Sequence, residues 1–529
     1  MTATVTPERT GRRPERDRFG WLLHAEWTKF RTVRGWVIAM VIAAAVTAAV
    51  GLWAASGPQN GCQPSGPGGP AGPPVACKPS VPVGPGGEAV ADSFYFVHQT
   101  LRGNGSITVR VTSLTGSYSP GGGITPGANP AASFTSGIQP WSKAGIIVAA
   151  STRPGSAYAA MMVTGRHGVR MQDNYTQDTP GLPGAVSAAS PRWLRLVRAG
   201  DTLTGYDSAD GIRWTREGTV SLPGLPEAVP AGLFVTSPAW VSTETSGPSI
   251  ATGVFDRVSM PGASPGGGWR GEHAGAGTGY PSLPGTFHAA GGVFTVRGSG
   301  DIAPAGPGPV AIGKSGGYGL AGAFAGLIVA IVVGAMFITA EYRRGLIRTT
   351  LAASPARGRV LAAKAIVIGG VTFVAGLIGA APVVPAGESL LRNHGNYVFP
   401  MSALTEVRLV AGTAALLAVT AVLALAVGAI LRHSAGAITA VITLVVVTYF
   451  FSVPLALLPA GAADWLLRVT PAAAFAIQQY VPAYPQVSNT YLPQYGYYPL
   501  APWAGFAVLC LWAALALWLA TFLLRRRDA

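Results

Sequence analysis

The chain has 529 residues, only 11% of them charged and 49% apolar, with a mean hydropathy of +0.37. That average is high for a soluble domain and directs attention to membrane spans. The formal net charge of +15 does not by itself signal nucleic acid, because basic residues flanking apolar runs match anionic lipid headgroups. Three cysteines are too few for a disulfide scaffold, and their spacing is not that of a zinc site.

Residues 1–18 are polar, rich in Arg and Pro, and read as a disordered tail. Next comes "FGWLLHAEWTKFRTVRG". Leu23, Trp27 and Phe30 fall on one helical stripe with Glu26 and Lys29 off it, which predicts a helix over 19–35 lying in the membrane interface. Residues 36–55 carry no charge and are long enough for the ~20 residues that a bilayer core requires. The charged leader before them is too long for a cleavable signal peptide.

Residues 56–89 are a Gly/Pro linker holding Cys62 and Cys77, placed where an oxidising compartment allows a small disulfide. Strand signals then dominate 90–260. Ile107, Val109 and Val111 alternate after an Asn-Gly turn, and "WLRLVRAGDTLTGYDSADGIRWTREG" reads as a meander. These segments predict an antiparallel β-sandwich. Residues 261–317 return to Gly/Pro-rich linker, with "GGVFTVRGSG" as one strand candidate for a sheet edge. Near its end, "GPVAIGKS" fits the phosphate-loop pattern through Gly308, Gly313, Lys314 and Ser315. The context is wrong for that motif. No strand precedes it, two glycines follow, and Pro309 removes a backbone donor. The match is read as an accident, so no nucleotide, cofactor or metal is expected.

Five more spans follow, at 318–340, 365–386, 409–431, 435–458 and 503–524. Pro382 and Pro385 break the outer end of the second of these. With the N-terminus inside, the inner segments carry eighteen Lys and Arg and the short outer loops only Arg392, Arg408 and Arg468. That asymmetry predicts six helices, both termini cytoplasmic and residues 56–317 outside. Residues 341–364 form the only sizeable inner loop. Residues 459–502 read as an outer re-entrant or interfacial segment, its tyrosines suited to headgroups. His433, in a tight inner turn, reads as a loop residue. Spans nearly free of ionisable groups argue against proton or sodium coupling and for an external energy source.

"LLHAEWTKFRTVRGW", "FITAEYRRGLIRTTLAASPARGRVLAAK" and "RVTPAAAFAIQQ" resemble the permease subunits of type-2 ABC exporters of the actinobacterial kind. The resemblance covers about 1–55 and 318–529. It implies a cell-membrane permease working as a homo- or heterodimer of halves, with separate cytosolic ABC ATPase subunits. Residues 19–35 would be the connecting helix and 341–364 the coupling segment. Glu26, Glu341, Arg343, Arg344, Arg348, Arg357 and Arg359 would meet the ATPase; in the plainer alternative the arginines anchor the helix ends on lipid, Glu341 pairs locally with Arg344, and Glu26 with Lys29. The greasy path suits a lipid-like or amphipathic cargo. Here the first outer loop, commonly a few residues long, holds a domain.

That domain is similar to concanavalin-A-like, laminin-G-like jelly rolls over 90–260, on "DSFYFVHQTLRGNGSITVRVTSL", "WSKAGIIVAAS" and "PRWLRLVRAGDTLTGYDSADGIRWTREG". The resemblance implies glycan contact through aromatic rings. Tyr95, Trp141, Tyr158, Trp193, Tyr206 and Trp214 are the candidates, each alternatively a core residue. The loop's glutamates, Glu88, Glu217, Glu227, Glu244 and Glu272, make no E-x-D-x-E run, so no hydrolase pair is expected. The rival to transport is a membrane-anchored glycan receptor, for which one span would suffice.

Overall fold

A computed structural model describes residues 19–57, 81–120, 134–242, 246–263, 268–276, 283–306, 320–346, 356–452, 460–481, 483–488 and 491–526. Cys62, Cys77, Arg348 and the phosphate-loop lookalike at 308–315 lie outside them. Among the described residues six helices are long and apolar enough to cross a membrane.

Helix α1 (Phe19–Thr32) ends at a bend on Val33, and α2 (Arg34–Ser56) follows as the first span. After the sandwich come α3 (Ala323–Arg343) and α4 (Arg357–Ala380). Helix α4 starts eight residues before the expected span, so Lys364 lies inside it rather than in the loop. Pro382 then caps a short amphipathic helix, α5 (Val383–Asn393). Helix α6 (Ala403–Leu431) is the hub, packed against α3, α4 and the last span, α10 (Pro502–Arg526). Between them run α7 (Ser434–Ile442), one π-helical turn (Thr443–Val447) and α8 (Thr448–Ser452). Helix α9 (Ala460–Val469) and a 3-10 helix (Pro471–Gln478) occupy the expected outer segment. His433 caps α7, accepting from the Gly436 N–H at 3.2 Å.

Lipid tails are as apolar as leucine, so these helices hold together by close backbone approach. Gly334 on α3 meets α6 so tightly that a Cβ there would lie 2.3 Å from the Ala421 carbonyl. Gly326 seats against Thr47 of α2 in the same way. Elsewhere packing is looser. An apolar groove of about 910 Å³ runs between α1, α2 and α4, walled by Leu23, Trp27, Met40, Val374 and Ile378 with Arg31 among its lining residues.

The insert is a sandwich of two eight-stranded antiparallel sheets. The first orders β15 (Arg270–Ala276), β1 (Val90–Arg102), β11 (Ala228–Thr236), β4 (Lys143–Ala149), β5 (Tyr158–Thr164), β6 (Val169–Asp173) and β7 (Gln177–Pro180), with β18 (Ile302–Pro304) also on β1. The second orders β10 (Thr215–Ser221), β9 (Thr202–Ser208), β8 (Arg192–Ala199), β2 (Gly105–Tyr118), β14 (Ser249–Ser259), β17 (Val293–Gly298) and β16 (Thr286–Ala290), with β3 (Thr135–Ser136) on β2. A two-stranded ribbon, β12 (Trp240–Val241) with β13 (Ser246–Gly247), stands apart. Alternation places Val97, Ile107, Val109, Ile146, Met161, Leu194, Leu196, Leu233 and Phe255 between the sheets, all fully buried.

Strands β15, β16 and β18 correct the linker expected over 261–317, while the strand candidate "GGVFTVRGSG" forms β17, one place in from the sheet edge: the sheets extend to Pro304. Three of these four strands lie outermost or off the main strand order, and "GEHAGA" and "TFHAA" offer almost no apolar alternation. Ala89, Ala305 and Phe399 cluster with Tyr397 and Tyr480, and Gln486 Nε2 donates to the Thr176 carbonyl at 2.9 Å. The sandwich therefore rests on the loops that join the helices.

Gly334→Ala should lower the melting temperature of the purified protein by several degrees, since neither helix can yield without breaking contacts along the hub. Gly370→Ala, where a Cβ meets nothing within 4 Å, should leave it unchanged or raise it through helix propensity. Equal responses in a thermal melt would refute the close-approach account.

Candidate functional site

The ends of α1, α3 and α4 meet in a ring of four charges. On α1, Glu26 and Lys29 are one turn apart, and Lys29 Nζ donates to Glu26 Oε1 at 2.8 Å. Lys29 Nζ also reaches Glu341 Oε1 at 3.2 Å, at the end of α3. From α4, Lys364 Nζ closes the ring, donating to Glu26 Oε2 and to Glu341 Oε1, both at 2.7 Å. Lys364 is fully buried, Glu26 2% exposed and Glu341 9% exposed. The Lys364 ammonium also lies 5.0 Å from the centre of the Phe337 ring.

Two carboxylates and two ammoniums neutralise one another, which is what allows charge to sit at a helix junction beside hydrocarbon. Desolvation pulls the Lys29 ammonium down, but Glu26 and then Glu341 outweigh it and hold its pKa above the ordinary lysine value. A raised folded value means that this contribution is complete at neutral pH and is lost only in strong alkali.

Around the ring lies a basic rim. Arg343, Arg344 and Arg359 are exposed. Arg432 sits 5.3 Å over the Tyr342 ring, and Arg357 donates to the Leu524 carbonyl, which brings the ends of α6 and α10 to the same place. Of the residues expected to meet an ATPase, Arg343, Arg344 and Arg359 are open to solvent. Glu26 and Glu341 are not: both turn inward and are taken by lysines. The local Glu341–Arg344 pair read from the sequence gives way to Lys364 for the same reason.

Lys364 is the residue that the sequence concealed. It was counted as topogenic charge, and it lies 338 positions from Glu26 and 23 from Glu341. The available signal was its setting, "VLAAKAIVI", where apolar neighbours on both sides leave a lysine head nowhere wet to reach.

The six glycan candidates separate. Tyr95, Trp141 and Tyr158 are buried and serve the sandwich core. Trp193, Tyr206 and Trp214 are half-buried on the second sheet. A carboxyl pair also exists where none was expected. A bulge between Arg216 and Gly218 displaces Glu217 inward, where it hydrogen-bonds Asp207. Burial first, then the Asp207 charge, raise the Glu217 carboxyl to about 7. Asp207 accepts the Leu182 N–H at 2.7 Å, so the pair fastens the loop after β7.

Residues 156–529 match the family described as ABC-2 family transporter protein. No curated protein matches the chain. Part of it resembles the crystal structure of a functionally unknown protein from Saccharomyces cerevisiae, at 14% identity, 32% of this chain, 76% of that one and TM-score 0.20. Another partial likeness is to scytalido-glutamic peptidase with a transition state analog inhibitor, at 7% identity, 39% of this chain, 98% of that one and TM-score 0.25. Likenesses at those TM-scores carry no argument.

Lys364→Met should leave two buried carboxylates short of a partner and cost about 3–5 kcal/mol. Lys29→Met, on a half-exposed side chain, should cost about 1 kcal/mol or less. Thermal melts compare them, and a Lys29 effect as large as that of Lys364 would sink the ring. For the carboxyl pair, a raised folded value means stability present below about pH 4.5 and lost as pH rises through about 7. Glu217→Gln should flatten that decline in a pH series of melts.

Proposed function

The chain belongs to the ABC-2 family of transporter proteins, and on that premise we propose that it is the permease subunit of an ATP-driven exporter, powered by a separate cytosolic ATPase. It is a multi-pass membrane protein and a transport subunit rather than an enzyme. The observation that carries the finer reading is the ring of Glu26, Lys29, Glu341 and Lys364. A permease without its own ATPase must take up force at the cytosolic ends of its helices. The ring makes α1, α3 and α4 one rigid body there, and Arg343, Arg344 and Arg359 give that body an exposed, basic surface for an acidic partner.

Both termini then lie in the cytosol and the sandwich outside, as the distribution of Lys and Arg supports. The greasy spans and the groove lined by Arg31 suit a lipid-like or amphipathic cargo. A second permease half completes the transporter.

Co-expression with a candidate cytosolic ABC ATPase subunit tests the partner. Arg343→Glu with Arg344→Glu should abolish co-purification while leaving the melting temperature unchanged, and undiminished recovery of the ATPase would refute the contact surface. Orientation is tested separately in intact cells. A cysteine at Ile212, 81% exposed on the sandwich, should react with an impermeant maleimide, whereas one at Arg344 should not.

A further inference from the structure

The outer face of the second sheet carries a row that the transport reading does not use. Register places Arg216 on β10 opposite Tyr206 on β9, Tyr206 opposite Arg195 on β8, and Arg195 opposite Thr108 on β2. These side chains share the face turned away from the core, because Leu203, Leu194, Leu196 and Val109 alternate inward beside them. The bulge that sends Glu217 inward keeps Arg216 outward. Two guanidiniums thus flank one phenol, each one strand spacing away, about 5 Å.

The row is held firmly. Arg195 Nε donates to Thr108 Oγ1 at 3.1 Å, and its guanidinium lies 4.0 Å over the Trp214 ring. In the next row Arg110 is spoken for: it grips Asp256 through two bonds of 2.6 and 2.7 Å and lies 5.7 Å over Trp193. Arg195 and Arg216 have no carboxylate among the described residues, and neither the Tyr206 hydroxyl nor the two Nη atoms of Arg195 have a hydrogen-bond partner there. Opposed strands commonly pair unlike charges. Two arginines kept apart by a tyrosine, with Asp256 committed to Arg110, leave donors on this face without a protein acceptor among the described residues.

We propose that Arg195, Tyr206 and Arg216 form a clamp for an acidic group of an anionic polysaccharide, with the half-buried indoles of Trp193 and Trp214 beside them taking the adjoining sugar. Planar guanidiniums suit carboxylate, sulfate or phosphate through paired donors, and the phenol adds a third donor from between them. The indole rings beside the arginines give pyranose C–H groups an apolar surface that a bare anion would not need. The choice of a glycan rests on the sandwich facing outward, as proposed above; the anion clamp itself does not.

The test is fluorescence polarisation with the full-length protein in nanodiscs, using labelled polygalacturonate, dextran sulfate, neutral dextran and a DNA duplex. The two acidic glycans should bind, and whichever binds more tightly tells carboxylate from sulfate. Arg195→Ala or Arg216→Ala should weaken that binding at least about tenfold and Tyr206→Phe about threefold. Arg297→Ala, exposed on the same face but outside the row, should change it less than about twofold. Equal losses from Arg297→Ala, or neutral dextran binding as well as the acidic glycans, would overturn the clamp. DNA binding more tightly than either glycan would overturn the ligand class. If maleimide labelling placed the sandwich inside while the acidic glycans still bound in vitro, the orientation would fall and the clamp would stand.

Discussion

A charge cannot sit beside hydrocarbon unless another charge cancels it, and the helical half of this protein is arranged around meeting that condition at one place. Four ionisable groups from three helices neutralise one another where α1, α3 and α4 converge. Replacing them all with apolar residues would hold the helices together as well or better. What the ionic version adds is alignment: Lys364 reaches Glu26 and Glu341 together only with α4 set against both α1 and α3. That fits an element whose work is to move as a piece.

The two halves of the chain use different physics. Between the sheets, burial of alternating aliphatic side chains drives assembly through loss of water. Between the spans that drive is missing, and contact comes from glycines that let carbonyls and Cα atoms approach, as at Gly334 and Gly326. The contact between halves is small and aromatic, around Phe399, Tyr397 and Tyr480. The helical half and the sandwich can therefore vary separately, the one through the ring and its arginine rim, the other through the outer sheet face.

Much of this was legible in the residues. Spans of some twenty uncharged positions have no soluble alternative, and period-two runs such as that of Ile107, Val109 and Val111 identify strands without help from tertiary context. Three things were not legible. Strands β15 and β16 sit at sheet edges, where glycine-rich sequence is tolerated because only one side is paired. Lys364 looks like any helix-end cation until α1 is brought beside it. The Asp207–Glu217 pair depends on a bulge, which turns a side chain to the other face against the simple alternation rule.

The 338 positions that separate Lys364 from Glu26 also impose a schedule on biosynthesis. At about 5–20 residues per second, the ribosome needs on the order of tens of seconds to make the last member after the first has emerged. Throughout that interval Glu26 can be shared only with Lys29, and the insert has time to begin pairing its strands. Closure of the ring is thus a late event in synthesis, and until then the first helix lacks the lysine that holds it to α4.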